Sequence, residues 1–121
     1  MATYYISDIR GNDGNSGTLS QPFKTIYKGI NTAVEGDTVH VLAGTYYPTF
    51  STRPIANKSI SLIGDGKTTT IIDGTNITGW TTDNGQGLVE IRADNVLFSG
   101  FTVQNVIENS ATTKGLPDAM Y

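Results

Sequence analysis

Gly17-Thr18-Leu19-Ser20-Gln21-Pro22-Phe23-Lys24-Thr25-Ile26, followed by Gly36-Asp37-Thr38-Val39-His40-Val41-Leu42-Ala43-Gly44-Thr45-Tyr46, carries the order of elements that decides the fold. From Pro22 the apolar residues fall at Phe23, Ile26, Ile30, Ala33 and Val34, the spacing of one helical face. Ser20 is the expected N-cap, and Pro22 sits in the first turn, where its missing N–H costs nothing. Gly36 supplies the stop. A helix of about three turns with one apolar stripe is marginal alone, so it must lie on an apolar surface. The Gly36-Asp37 turn then leads into an alternating strand, Val39 to Gly44.

Working outward, Thr3 to Ser7 reads as a strand, and Asp8 to Gly17, with three Gly and two Asn, as a loop. Downstream, the pattern repeats. Val39-His40-Val41-Leu42-Ala43-Gly44, Ile60-Ser61-Leu62-Ile63-Gly64-Asp65 and Val96-Leu97-Phe98-Ser99-Gly100-Phe101 share alternation and a Gly near the end. Aligning Val39, Ile60 and Val96 gives separations of 21 and 36 residues, the longer containing the polar stretch Gly74 to Gly87. Short strands with an insertion at one corner are how a solenoid reads in sequence. Thr70 to Gly74, Leu88 to Arg92 and Phe101 to Val106 supply the second and third faces of the coils.

The expected fold is therefore all-β, a right-handed parallel β-helix of a few coils with an N-terminal capping α-helix. Each strand pairs with its equivalent one coil on, about 4.8 Å away, and alternate side chains enter the lumen. The expected core is Val39, Val41, Ile60, Leu62, Ile72, Val89, Ile91, Val96, Phe98, Phe101 and Val103. The helical stripe is available to seal the first layer, because an open solenoid end exposes both apolar surface and strand edge. One domain spans 1–121, with cap 1–36, coils 37–106 and tail 107–121. The tail offers no obvious apolar cap, and we expect the chain to be a piece of a longer solenoid.

Composition narrows the function. Formal net charge is −3, and the eight Lys and Arg are scattered, which argues against a nucleic-acid partner. There is no cysteine, which excludes disulfides and thiolate chemistry. No apolar run approaches the ~20 residues of a membrane span, so no membrane partner is expected. Abundant Gly, Thr and Asn with few charges favour a secreted or cell-surface location.

Tyr4-Tyr5-Ile6-Ser7, Gly11 to Leu19, Pro22-Phe23-Lys24-Thr25-Ile26 and Gly36-Asp37-Thr38-Val39 through Gly44-Thr45-Tyr46 resemble the N-terminal segment of pectate-lyase-like right-handed parallel β-helix proteins, especially the family nine polysaccharide lyases. Gly79-Trp80, Leu88 to Ile91 and Val96 to Val103 are similar to the next coils, so the resemblance covers residues 3–106. It implies a parent that cleaves acidic, pectin-type polysaccharide by β-elimination. A Lys or Arg base takes the proton α to the uronate carboxyl, and calcium held by several Asp neutralises that carboxylate. No catalytic residue of the family maps onto this chain, which alone is expected to be inactive and to hold no cofactor of its own.

Among local candidates, Tyr46, Tyr47 and Trp80, with Phe50 nearby, offer aromatic faces on which a pyranose could stack. The competing reading is packing beneath the loops. Asp65, Asp73 and Asp94 sit near coil corners, where carboxylates either bind calcium or, more often beside Gly, satisfy local backbone N–H groups. The Asn12 to Gly17 loop is oxygen-rich but lacks the spacing of an EF-hand. His40, the single histidine, faces outward on strict alternation, and Lys58, Lys67 and Lys114 read as solvated. A second functional reading is a non-catalytic glycan-binding module, or a self-assembling one that forms homo-oligomers through an open solenoid end.

Overall fold

The computed structural model describes residues 1–77 and 88–104. In chain order its elements are β1 (Thr3–Ile6), α1 (Ile26–Thr32), β2 (Thr38–Val41), β3 (Gly44–Tyr46), a 3₁₀ turn (Phe50–Thr52), β4 (Ile55–Ala56), β5 (Ser61–Gly64), β6 (Thr70–Asp73), β7 (Glu90–Ile91), β8 (Leu97–Ser99) and β9 (Thr102–Gln104). They form three sheets, ordered β1-β2-β5-β8, β3-β6-β9 and β4-β7. Every strand pair is parallel. The chain is thus mostly β, with one short helix among the described residues.

Alternation sets the register. Tyr4, Val39, Leu62 and Phe98 stand in one row across the first sheet, and Tyr46, Ile72 and Val103 in a row of the second. Val39, Val41, Ile60, Leu62, Ile72 and Val89 are buried, while Phe98, Phe101 and Val103 pack against this core from partly exposed positions. Ile6, Ala56, Ile77 and Leu88 are buried as well. The segment read as a single strand from Val39 to Gly44 is broken after Val41, where the chain turns from the first sheet to the second. Leu42 N donates to Ile6 O (2.8 Å), Ala43 N donates to the Asp65 carboxylate (3.1 Å), and Gly44 adopts φ +153°.

At the corresponding corner farther along, two backbones meet. A Cβ on Gly64 would lie 2.3 Å from the Gly100 carbonyl oxygen, and one on Gly100 would lie 2.2 Å from that of Gly64. The glycines near the ends of the repeats therefore permit close backbone approach between adjacent circuits.

The helix is shorter than its apolar periodicity predicts. It has seven residues, and its N-cap is Thr25, whose side chain accepts from Lys28 N, rather than Ser20. Asp13 decides this: one carboxylate oxygen accepts Lys24 N and Thr25 N at 2.8 and 3.0 Å, and the other accepts Thr25 Oγ1. Upstream, Phe23 is extended and bridges Ile6. Phe23 N donates to Tyr5 O and Ser7 N donates to Phe23 O, while Tyr5 N donates to Gly17 O. These bonds occupy the outer edge of β1, so the 17–23 segment covers a strand edge instead of opening the helix. Val34, assigned to the apolar stripe, is 63% exposed.

Phe23, Ile26, Ile30 and Ala33 nevertheless belong to the core with Ile6 and Val39. Gly29 lets the helix sit close, since a Cβ there would be 2.6 Å from Ile6 Cδ1. At the C-terminal end of α1, Lys58 Nζ donates to Ile30 O (2.6 Å), Asn31 O (3.3 Å) and Ala33 O (2.6 Å). Lys58 is thus a helix cap and not a solvated side chain.

Candidate functional site

Tyr46 and Tyr47 are neighbours in sequence with different environments. Tyr46 ends β3 and points inward on the strand alternation, so it is only 4% exposed. Its hydroxyl donates to Leu42 O (2.7 Å), lies 3.2 Å from Ile6 O and accepts from Asp8 N (3.2 Å). Burial pushes the phenol up to about 12, with the Asp8 and Asp65 charges adding to the rise against the Asp8 N–H bond. Tyr46 is therefore a neutral clasp joining the first turn of the chain to the corner after β2. Tyr47 is 52% exposed and presents a ring to solvent. Trp80 lies outside the described residues, and nothing of Phe50's side chain is described.

The two tyrosines border one groove of about 260 Å³. Ile26, Pro48 and Pro54 complete its apolar wall, and Asp8, Lys24 and Thr52 stand around it. Lys24 Nζ donates to Asp8 O (2.7 Å) and is 3.6 Å from the Asp8 carboxylate. The loop 8–25 positions this pair, because Asp13 ties Lys24 and Thr25 in place from below. An exposed ring, two prolines and an adjacent donor–acceptor pair can hold a molecule that is apolar on one face and hydroxylated at its edge.

Arg53, between the groove residues Thr52 and Pro54 in sequence, belongs to a buried ionic cluster that local sequence reading missed. Arg53 pairs with Glu90, both almost fully buried, and Arg92 Nε donates to the other Glu90 oxygen (2.8 Å). The pairing of Ile55 with Glu90 brings these residues together across 37 positions, a separation at which no local motif signals a partner.

Asp73, Asp65 and Asp13 are engaged by protein donors. Asp73 accepts from Thr75 N (2.8 Å), Thr75 Oγ1 (2.5 Å) and Gln104 Nε2 (3.0 Å). Asp65 accepts from Ala43 N and lies 2.5 Å from His40 Nε2, whose ring stacks on Tyr5 on the outer sheet face. Asn12 accepts from Gly14 N, and Asp13 is engaged as described. Among the described residues, no group of three His, Cys, Asp or Glu is placed to hold a metal ion.

Residues 9–117 match the family described as a protein of unknown function, DUF1565. The chain belongs to the DUF1565 family. No curated protein matches this DUF1565 chain. Solved structures do. A rhamnogalacturonan lyase is similar at 26% identity with a TM-score of 0.64, over 85% of the DUF1565 chain and 28% of its own. The GH136 lacto-N-biosidase from Eubacterium ramulus, native protein, aligns at 18% identity and TM-score 0.61, over 98% of this chain and 23% of its own. Its selenomethionine derivative gives 17% and 0.63. The DUF1565 chain thus spans about a quarter of the length of these structures. Together with its own parallel sheets, they give it a β-helix-type fold. They do not single out the pectate-lyase-like group.

Proposed function

We propose that this chain forms the sealed first turns of a right-handed β-helix carbohydrate-active protein that works outside the cell. The observation that carries the reading is the unbroken parallel register of three sheets under a helix cap, joined with the 26% likeness to a rhamnogalacturonan lyase. In the finer form of the proposal the whole protein cleaves acidic polysaccharide by β-elimination. A base removes the proton α to the uronate carboxyl, the C–O bond β to that carboxyl breaks with its electron pair on the leaving sugar oxygen, and a C=C bond is left in the new end. The side chains of Asp13, Asp37, Asp65 and Asp73 are engaged by protein donors. Any calcium requirement belongs to the whole protein.

The segment's part is structural: it nucleates the stack and covers its first layer. The test is to incubate the protein translated from the whole natural reading frame, and residues 1–121 alone, with polygalacturonate and with rhamnogalacturonan. Unsaturated uronate product should form with the former and not the latter. Absence of that product from every polyuronate would reject the lyase reading. The second reading, a non-catalytic glycan-binding module, is favoured by the exposed Tyr47 beside a groove and predicts binding without cleavage.

A further inference from the structure

We infer that the Tyr47 groove is a subsite for one uncharged pyranose unit, not for a uronate. This rests on the reading that the protein meets carbohydrate, and it deepens that reading by naming the sugar class. The 52% exposed Tyr47 ring, with the half-buried Pro48 ring beside it, gives a surface to stack on the C–H face of a sugar. A volume of about 260 Å³, just below the usual span of small-molecule pockets, suits a single ring rather than an oligosaccharide.

Charge selects the sugar. Lys24 is the cation at this groove, and it is already compensated: its ammonium donates to Asp8 O and lies 3.6 Å from the Asp8 carboxylate. The Asp13 carboxylate accepts the Lys24 and Thr25 amides and so fixes the backbone that carries this cation. An incoming carboxylate would find Lys24 already paired with Asp8, so the groove lining keeps little net positive charge to attract it. A hydroxylated ring meets a donor, Lys24, beside an acceptor, Asp8, a pair matched to adjacent sugar hydroxyls, which both give and accept hydrogen bonds. The neutral ring is therefore the better complement.

The test uses residues 1–121 with matched probes: the methyl glycosides of galactose, glucose and mannose against the methyl glycosides of the corresponding uronates, which differ only at C6. Backbone amide shifts are followed by NMR. Saturable shifts at residues 24, 25, 47 and 52 with at least one neutral glycoside are expected, with its uronate binding several-fold more weakly. Tyr47→Ala should weaken the neutral glycoside by roughly tenfold, and Tyr47→Phe should keep it. The exposed position of Tyr47 leaves the fold intact, which the unshifted remainder of the spectrum verifies. Tighter binding of the uronates, or no saturable shift with any neutral glycoside, overturns the inference. Either result is independent of the cleavage assay, so groove and lyase reading can fail separately.

Discussion

Asp37 shows how much one carboxylate can organise. The helix stops at Ala33 and not at Gly36 as its sequence suggested. Gly36, with φ +88°, lies in the following turn closed by Asp37 N on Val34 O, and the two Asp37 carboxylate oxygens accept Ala2 N (2.8 Å) and Val34 N (3.0 Å). The Asp37 carbonyl accepts Ser61 N from the next circuit. The Val34 and Ala2 N–H groups hold the carboxyl below its ordinary 3.8, more than burial raises it. A depressed pKa means that the folded state binds its proton less readily than the unfolded chain. The stability from Asp37 is therefore present above the unfolded value and lost as pH falls through the folded one. Urea midpoints should hold between about pH 7 and pH 5 and drop below about pH 4, and Asp37→Asn should lower the neutral midpoint while shrinking the acid drop. An acid drop of the same size in the variant would show that other carboxylates carry it.

At the scale of elements, the cap of α1 comes from far away in sequence. The last carbonyls of a helix lack intrahelical donors, and Lys58 supplies a charged one to three of them. Lys58→Met keeps the alkyl stem and deletes the ammonium, so it should cost about 1–2 kcal/mol, read from the urea midpoint. The amide of Ala33, which donates to Gly29 O, should exchange faster with solvent. Unchanged stability and exchange would mean that water replaces the ammonium fully. Strands of this fold were legible because alternation reports which face is buried, as at Val39, Val41 and Leu62. The helix start was not, because Phe23 satisfies helical spacing while its contacts are those of an extended residue pairing with β1. Nor was Lys58, whose partners lie 25 to 28 residues back, or the Arg53–Glu90 pair, which register alone creates. At the groove, the aromatic residues were visible in sequence. That Tyr46 is a buried clasp and Tyr47 the exposed ring follows from strand phase at the corner, and the neutralising role of Asp8 beside Lys24 follows from the loop's path.

For the whole molecule, a stack in which each circuit pairs with its neighbours has no partner for its first layer. Here that layer, Ile6, Val39 and Val41, is covered by Phe23, Ile26 and Ile30, while the 17–23 segment occupies the free edge of β1. Fully burying three such side chains contributes about 5–9 kcal/mol in total, which is comparable to the roughly 5–15 kcal/mol net stability of a typical domain. The cap is then not an ornament on an independently stable stack. Deleting residues 1–36 removes α1 and β1 together, leaving Thr38–Val41 as an unpaired parallel edge beside exposed Val39 and Val41. The shortened chain should lose its cooperative thermal transition and sediment as concentration-dependent aggregates, since an open edge with an apolar floor is a template for a second chain. Sedimentation velocity and circular dichroism melts of the two lengths decide it. A monomeric, cooperatively melting 37–121 would place the stability of the fold in the sheets themselves and reduce the helix to a surface element.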